Sequence, residues 1–327
     1  MKAIVIAEYG EPEVLTLREL PDPHASADDL LVSVRATALN RADLLQRRGL
    51  YPQPGAKPEF EIPGLEFAGT VATAGAATTG FSAGDRVMGL LAGGGYAEKI
   101  AIHHRLASPI PSSLGFEEAA SVPEAFITAH DALVQCGFTC GESVLVHACG
   151  SGVGTAAIQI ARAMGASKIF GTAGSAAKLE QATALGLDVG IDYKSENFAE
   201  RIATETGKRG VDVILDFVGA SYLEGNLRSL AEKGRIIVIG LMGGFTGDLP
   251  LGMLMQKRAS IRGTLLRARS LEEKAAATRA FEKSVLPHLA SGRIRTVVDT
   301  VLPLAEAAAA HRLMESNANF GKIVLRV

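Results

Sequence analysis

Cysteine is scarce: Cys136, Cys140 and Cys149 are the only three in a chain of 327 residues. So low and odd a count excludes a disulfide framework and fits the reduced state. Cys136-x-x-x-Cys140 has no second pair and no histidine cluster nearby, so it does not read as a zinc site. Cys149 lies among glycines and reads as a small residue in a tight turn rather than a reactive thiol. Charge of one sign is not in excess either, because 33 Lys and Arg stand against 35 Asp and Glu, a net charge of -2. The basic residues are scattered, which excludes the electrostatic footprint of a nucleic-acid binder. Apolar runs are strand-length or broken by Gly and charge, short of the roughly 18 residues that a bilayer span needs. Met1-Lys-Ala-Ile-Val carries no secretory cleavage pattern. A cytoplasmic protein without a membrane or nucleic-acid partner is expected.

What is present is apolar material for two cores: 47% of the residues are hydrophobic, and the length suggests about two domains. Val144 to Val146 read as a buried strand, glycines follow, and Ala156, Ala157, Ile160, Ala161 and Met164 recur at helical spacing. Gly150, Gly152 and Gly154 lack Cβ atoms. The backbone is therefore expected to turn sharply there and let a pyrophosphate approach the first amides of the helix. The spacing is not the full GxGxxG, so the cluster alone leaves a structural turn open.

Short β segments broken by Pro and Gly fill the first 120 residues, including Asp29 to Ala38, Glu66 to Ala74, Asp85 to Leu91 and Tyr96 to Ile102. From Phe116 strands and helices alternate, with strands at Lys168 to Thr172, Val211 to Phe217, Arg235 to Gly240 and Ser260 to Leu265. That alternation argues for a parallel, doubly wound sheet. Leu271 to Leu289 reads as one long amphipathic helix, and Lys322 to Val327 as a closing strand.

The end of the second sheet strand bears on the choice of dinucleotide. An NAD site places an acid there, about 20 residues past the glycines, to hold the ribose 2′-hydroxyl. Lys168-Ile-Phe-Gly-Thr-Ala-Gly-Ser175 has none, and Ser175 and Lys178 offer a hydroxyl and a cation where a 2′-phosphate would sit. NADP is expected over NAD.

Several separated motifs, in order, resemble the zinc-free quinone oxidoreductases (zeta-crystallin-like) of the medium-chain dehydrogenase/reductase superfamily. They are Ala38-Leu-Asn-Arg-Ala-Asp43, Pro63-Gly-Leu-Glu-Phe-Ala-Gly69, Gly84-Asp-Arg-Val87, the run His147 to Gln159, Thr172-Ala-Gly-Ser-Ala-Ala-Lys178 and Gly240-Leu-Met-Gly-Gly244. The Leu-Asn-Arg-Ala-Asp and Ser-Gly-Val-Gly-Thr-Ala-Ala-Ile-Gln runs are most similar to the tumour-suppressor-inducible subgroup. The resemblance implies an α/β protein: a GroES-like, mainly β catalytic domain (residues 1–122 and 268–327) and an NADPH-binding Rossmann domain (residues 123–267) with a doubly wound parallel sheet.

Carried over by position, the resemblance implies that Asn40 and Tyr51 face nicotinamide and substrate, and that Ser151, Gly152 and Val153 meet the pyrophosphate, with Gly150 also a cofactor residue. Gly174, Ser175, Lys178 and Tyr193 would meet the 2′-phosphate. Gly240, Leu241 and Met242 would flank the nicotinamide with Asn319 near its other wall, and Thr128 and Leu265 are also cofactor residues by this carry-over. Tyr51, Asn40 and Ser151 are the candidate catalytic residues. The usual Ala-Ala-Gly of the glycine turn is Cys149-Gly150-Ser151 here. A homodimer through Ser260 to Leu265 is the family's habit.

Metal is not expected, since zinc-dependent relatives place Cys where Asn40 stands, His where Leu65 stands and a third ligand before the Rossmann helix. An Asn amide is a poor zinc ligand. Lacking a Lewis acid, such a chain suits reduction of an electrophilic acceptor, a quinone or activated enone, by NADPH. Alternatives are a 2-enoyl thioester reductase and a non-catalytic NADPH-binding protein, crystallin-like or RNA-binding. Tyr51, in a Pro- and Gly-rich loop, is either the acid that protonates the acceptor or a ring that stacks as a pocket wall. His147, ending a buried strand, reads as a packed, hydrogen-bonded histidine.

Overall fold

Branched apolar stretches between glycine and proline breakers set the strands. Across residues 1–55 and 58–327, which the computed structural model describes, fifteen strands run in chain order. The first seven are β1 (Lys2–Ile6), β2 (Leu15–Glu19), β3 (Asp29–Ala38), β4 (Glu66–Ala74), β5 (Arg86–Leu90), β6 (Lys99–His103) and β7 (Ala107–Pro109). Then come β8 (Ser143–Val146), β9 (Lys168–Ala173), β10 (Val189–Asp192), β11 (Val211–Asp216), β12 (Leu230–Val238) and β13 (Ser260–Gly263). The last are β14 (Val298–Pro303) and β15 (Lys322–Arg326). The chain divides into two units, Met1–Ile127 with Leu266–Val327, and Thr128–Leu265.

Thr128–Leu265 holds a six-stranded parallel sheet in the order β10-β9-β8-β11-β12-β13. All residues of β8 and β11 are buried, which is why these strands read as continuous apolar runs. Phe198, Ile202 and Leu227 from the flanking helices pack on Leu145, Phe170, Ile191, Ile214 and Ile236. Strand order reverses between β8 and β11, and ligands of such sheets bind beyond the carboxyl ends of the strands at that point. The doubly wound sheet expected from the alternation is therefore present.

The other unit is mainly β. Its seven-stranded sheet runs β14-β15-β3-β4-β5-β7, with β6 also on β3. Leu30, Val32, Phe67, Val71, Val87, Ile100 and Ile102 form a core within it. Antiparallel pairing places Ala38 of β3 opposite Val324 of β15 and Thr37 opposite Phe67 of β4. The carboxyl end of β3 thus meets the starts of β4 and β15.

Two expectations need correction. Leu271 to Leu289 is not one helix but two, Leu271–Ser284 and Leu286–Ala290, parted at Val285 (φ -117°, ψ -41°). Pro287 supplies no N–H to continue the ladder, so the first helix stops before it. The amino-terminal region is mainly β as expected, but it also holds a helix that was not expected, Arg41–Arg47, directly after β3. The carboxylate of Asp43 accepts the Asn40 backbone N–H at 2.8 Å and starts that helix, a cap that propensity alone does not reveal.

Candidate functional site

The chain leaves β8 through a turn that differs from the expected one. Its left-handed residue is Ala148 (φ 45°), whereas Gly150, Gly152 and Gly154 all keep negative φ. Gly154 serves close approach instead, since a Cβ there would lie 2.5 Å from the Ala148 carbonyl oxygen and 2.7 Å from Cys149 Cα. Ser151 caps the helix Gly152–Ala163, its Oγ accepting the Gly154 N–H at 3.0 Å and its carbonyl the Thr155 N–H at 2.8 Å. The N–H groups of Gly152 and Val153 meet no acceptor among the described residues. Free amides at a helix start suit an anion such as a pyrophosphate. Burial pushes the Cys149 thiol up to about 12, so it is inert at neutral pH. His147 is buried, with Nδ1 3.0 Å from Thr172 Oγ1 and Nε2 2.6 Å from Asn226 Oδ1, and burial pulls it down to about 4. It is a neutral, packed histidine.

One strand over, Ser175 caps the helix Ala176–Thr183, its Oγ accepting the Lys178 N–H at 3.4 Å. Pairing of Asp192 with Ala173 brings the ends of β10 and β9 together. Gly174 consequently lies under Tyr193: a Cβ at Gly174 would sit 2.6 Å from the Tyr193 hydroxyl and 3.2 Å from Lys194 Cε. Gly174, Ser175 and Tyr193 are thus gathered around one corner, with Lys178 on the helix that begins there. Lys194 is a second cation at that corner, one that no motif in the sequence marks. Its only signal is the Asp192-Tyr-Lys run closing a strand adjacent to β9. Gly240, Leu241 and Met242 follow β12, and Leu265 follows β13, at the carboxyl ends of the same parallel sheet. Leu241 and Met242 are exposed. Thr128 Oγ1 is shut from solvent without a hydrogen-bond partner among the described residues. Free amides at one helix start, and two lysines beyond the strand ends near Gly174, fit the phosphates of a dinucleotide.

In the mainly β unit the ends of three strands build a polar knot. Lys322, starting β15, donates from Nζ to the Leu39 carbonyl at 2.6 Å, Asn40 Oδ1 at 2.7 Å and Glu66 Oε1 at 2.6 Å. Asn40 Nδ2 donates to the same Glu66 Oε1 at 2.9 Å, and the Glu124 backbone N–H to Glu66 Oε2 at 2.8 Å. The Glu66 and Lys322 side chains are 0% and 6% exposed. Asn319, three residues before Lys322, spends its amide on the Gly321 carbonyl at 2.8 Å.

Behind the knot, Asp43 also accepts the Tyr96 hydroxyl at 3.1 Å and the Gly64 N–H at 3.2 Å. Its burial raises the carboxyl to about 6. Arg267 donates to the carbonyls of Ala92 (2.7 Å) and Tyr51 (3.0 Å) and to Gln46 Oε1 (2.8 Å), and its guanidinium carbon lies 5.0 Å from the centre of the Tyr51 ring. That cation–π contact fixes the half-buried ring. Burial, then the charge of Glu124, hold the Tyr51 phenol above its ordinary range. Asn40 and Tyr51 thus both belong to this unit's polar surface. Lys322, Glu124 and Arg267 were not singled out from sequence: Lys322 reads there as a strand end and Glu124 as a helix-start acid. Among the described residues no three His, Cys, Asp or Glu side chains cluster as metal ligands, and Asn40 and Glu66 are committed to an ammonium ion.

Comparison with known proteins adds three findings. Residues 152–282 match the family described as zinc-binding dehydrogenase, and residues 26–112 that described as alcohol dehydrogenase GroES-like domain. A quinone oxidoreductase of Rattus norvegicus is 33% identical, the match covering 99% of this chain and 97% of the relative. Among solved structures, the Escherichia coli quinone oxidoreductase complexed with NADPH is 30% identical with a TM-score of 0.88, and an NAD-dependent alcohol dehydrogenase is 34% identical with a TM-score of 0.90. Each covers 100% of both chains.

Proposed function

From the quinone oxidoreductase family of the medium-chain dehydrogenase/reductase superfamily, to which this chain belongs, we propose an enzyme that reduces a quinone or activated enone with NADPH. NADPH, when bound, supplies the hydride. The observation that carries the cofactor choice is the corner at Gly174, where the run Lys168 to Ser175 ends without an acid and Lys178 and Lys194 bring positive charge. The Gly152 and Val153 amides would hold the pyrophosphate, with Ser151, Gly150, Gly240, Leu241, Met242, Leu265, Thr128 and Asn319 as further cofactor residues. On the acceptor side the Lys322 ammonium stands beside Asn40, where zinc-dependent relatives keep a ligand. The chain's polar groups therefore orient an already electrophilic acceptor rather than ionise an alcohol.

The direct test is NADPH oxidation on adding 1,4-benzoquinone or 9,10-phenanthrenequinone. No turnover with either would remove the proposal, and faster turnover of an enoyl thioester would redirect it to thioester reduction. Within that assay Tyr51→Phe keeps most of the quinone kcat, because the ring on Arg267 still stacks and water can protonate the reduced quinone. Tyr51→Ala raises KM by removing the stacking surface. A loss of kcat with Phe of roughly a hundredfold would instead make the hydroxyl a general acid.

We further propose a homodimer through the exposed edge of β13, beside which Leu251 and Met255 of the helix Leu251–Lys257 stand 62% and 77% exposed. A monomer by sedimentation at micromolar concentration would refute it. A cytoplasmic location fits the free cysteines; among the described residues no helix is long and apolar enough to cross a membrane. Disulfide-linked protein recovered from cells would contradict that location.

A further inference from the structure

The knot around Glu66 leaves one acid uncommitted. Glu66 accepts from Asn40, Lys322 and the Glu124 backbone, so both of its oxygens are engaged and its charge has a bonded counter-ion. The side-chain carboxyl of Glu124 itself has no hydrogen-bond partner among the described residues, although it stands in the first turn of the helix Pro123–Gln135 and is only half-buried. Two neighbouring cations are spoken for, Lys322 by three oxygens and Arg267 by three more. Through Glu66 the Glu124 backbone N–H is two hydrogen bonds from Asn40, which places the residue beside the knot, and the charge of its carboxyl is felt by Tyr51.

We propose that Glu124 is the proton donor to the reduced acceptor, resting on the reductase reading above. An enone that accepts a hydride at its β-carbon moves the C=C electron pair toward its carbonyl, forming an enolate. The proton leaves the Glu124 carboxyl for that enolate, the O–H bond of the acid breaks as the new bond forms, and the carboxylate regains its proton from water. A donor must be protonated at working pH. Burial first, then the charges of Glu66 and Asp43, raise Glu124 to about 8 against the opposing pull of Lys322 and Arg267. The remaining groups that sense its charge are the Tyr51 phenol and Lys274.

The test uses Glu124→Gln in the full chain with an enone and a quinone acceptor. The variant is expected to lose roughly a hundredfold in kcat with the enone, with enone KM and the Kd for NADPH unchanged and the quinone far less affected. Wild-type kcat with the enone should fall as pH rises through about 8, and that limb should vanish in the variant.

A readout without cofactor is the pH dependence of unfolding. Glu124 is raised from 4.5 to about 8 in the fold, so its stabilising effect is complete below 4.5 and is lost as pH climbs toward 8. Between pH 6.5 and 8 the stability should decline in wild type and decline less in Glu124→Gln. Asp43, at about 6, and the lowered His147 and His311 make their changes at or below 6.5. Retained enone kcat with an unchanged pH limb, or an unchanged stability slope, overturns the assignment. If the variant does not fold, a wild-type enone profile flat to about pH 9 overturns it equally. If wild type oxidises NADPH with neither acceptor, the reductase reading itself has failed and the donor role falls with it.

Discussion

Lys322→Met lowers the unfolding free energy by about 3–5 kcal/mol, the cost of leaving a buried carboxylate without its cation. The magnitude follows from burial and from the number of bonds lost. Three hydrogen bonds leave Lys322 Nζ, and the Glu66 side chain is 0% exposed. Removing the ammonium strips Glu66 of its counter-ion and leaves the Leu39 carbonyl and Asn40 Oδ1 without a donor. Asn40 Nδ2 and the Glu124 N–H still bond the carboxylate, which keeps the loss short of complete unfolding. Adding Glu66→Gln to Lys322→Met removes the uncompensated charge and regains a large part of the loss, a coupling that a double-mutant cycle in urea measures. A single-variant cost below about 1 kcal/mol would mean that the knot is not held by this ion pair.

That knot also marks where the sequence stops being legible. β3, β4 and the alternation from Phe116 onward are local signals, because each strand's apolar character is decided by its own burial. The glycine turn was visible for the same reason, yet its geometry was not: the left-handed residue is Ala148, and only the packing of the Gly152–Ala163 helix on the turn shows that Gly154 is needed for closeness. Asn40 and Tyr51 could be found by resemblance. Lys322 and Glu124 lie 282 and 84 positions from Asn40, and nothing near them in the chain encodes the strand register that unites them. Lys194 escaped likewise, because its proximity to Gly174 depends on the pairing of β10 with β9. Polar sites assembled at strand ends are written in topology, not in periodicity.

Lys178→Ala weakens NADPH binding and leaves NADH nearly unchanged, since only NADPH carries the 2′-phosphate. A lost charge-assisted contact costs about 1.5–3 kcal/mol, or roughly 10- to 150-fold in Kd. Lys178 is the stronger of the two cations at this corner. It is half-buried one turn into the helix that Ser175 caps, where the first-turn amides add their own attraction for an anion. Lys194 is exposed, so Lys194→Ala changes Kd in the same direction by less, and that smaller effect fades at high salt. Fluorescence titration of both cofactors against both variants at low and high salt separates the contributions. Equal weakening of NADPH and NADH by Lys178→Ala would show that its ammonium does not meet the phosphate. Unchanged NADPH affinity in the double variant would mean that the corner at Gly174 does not bind this cofactor at all.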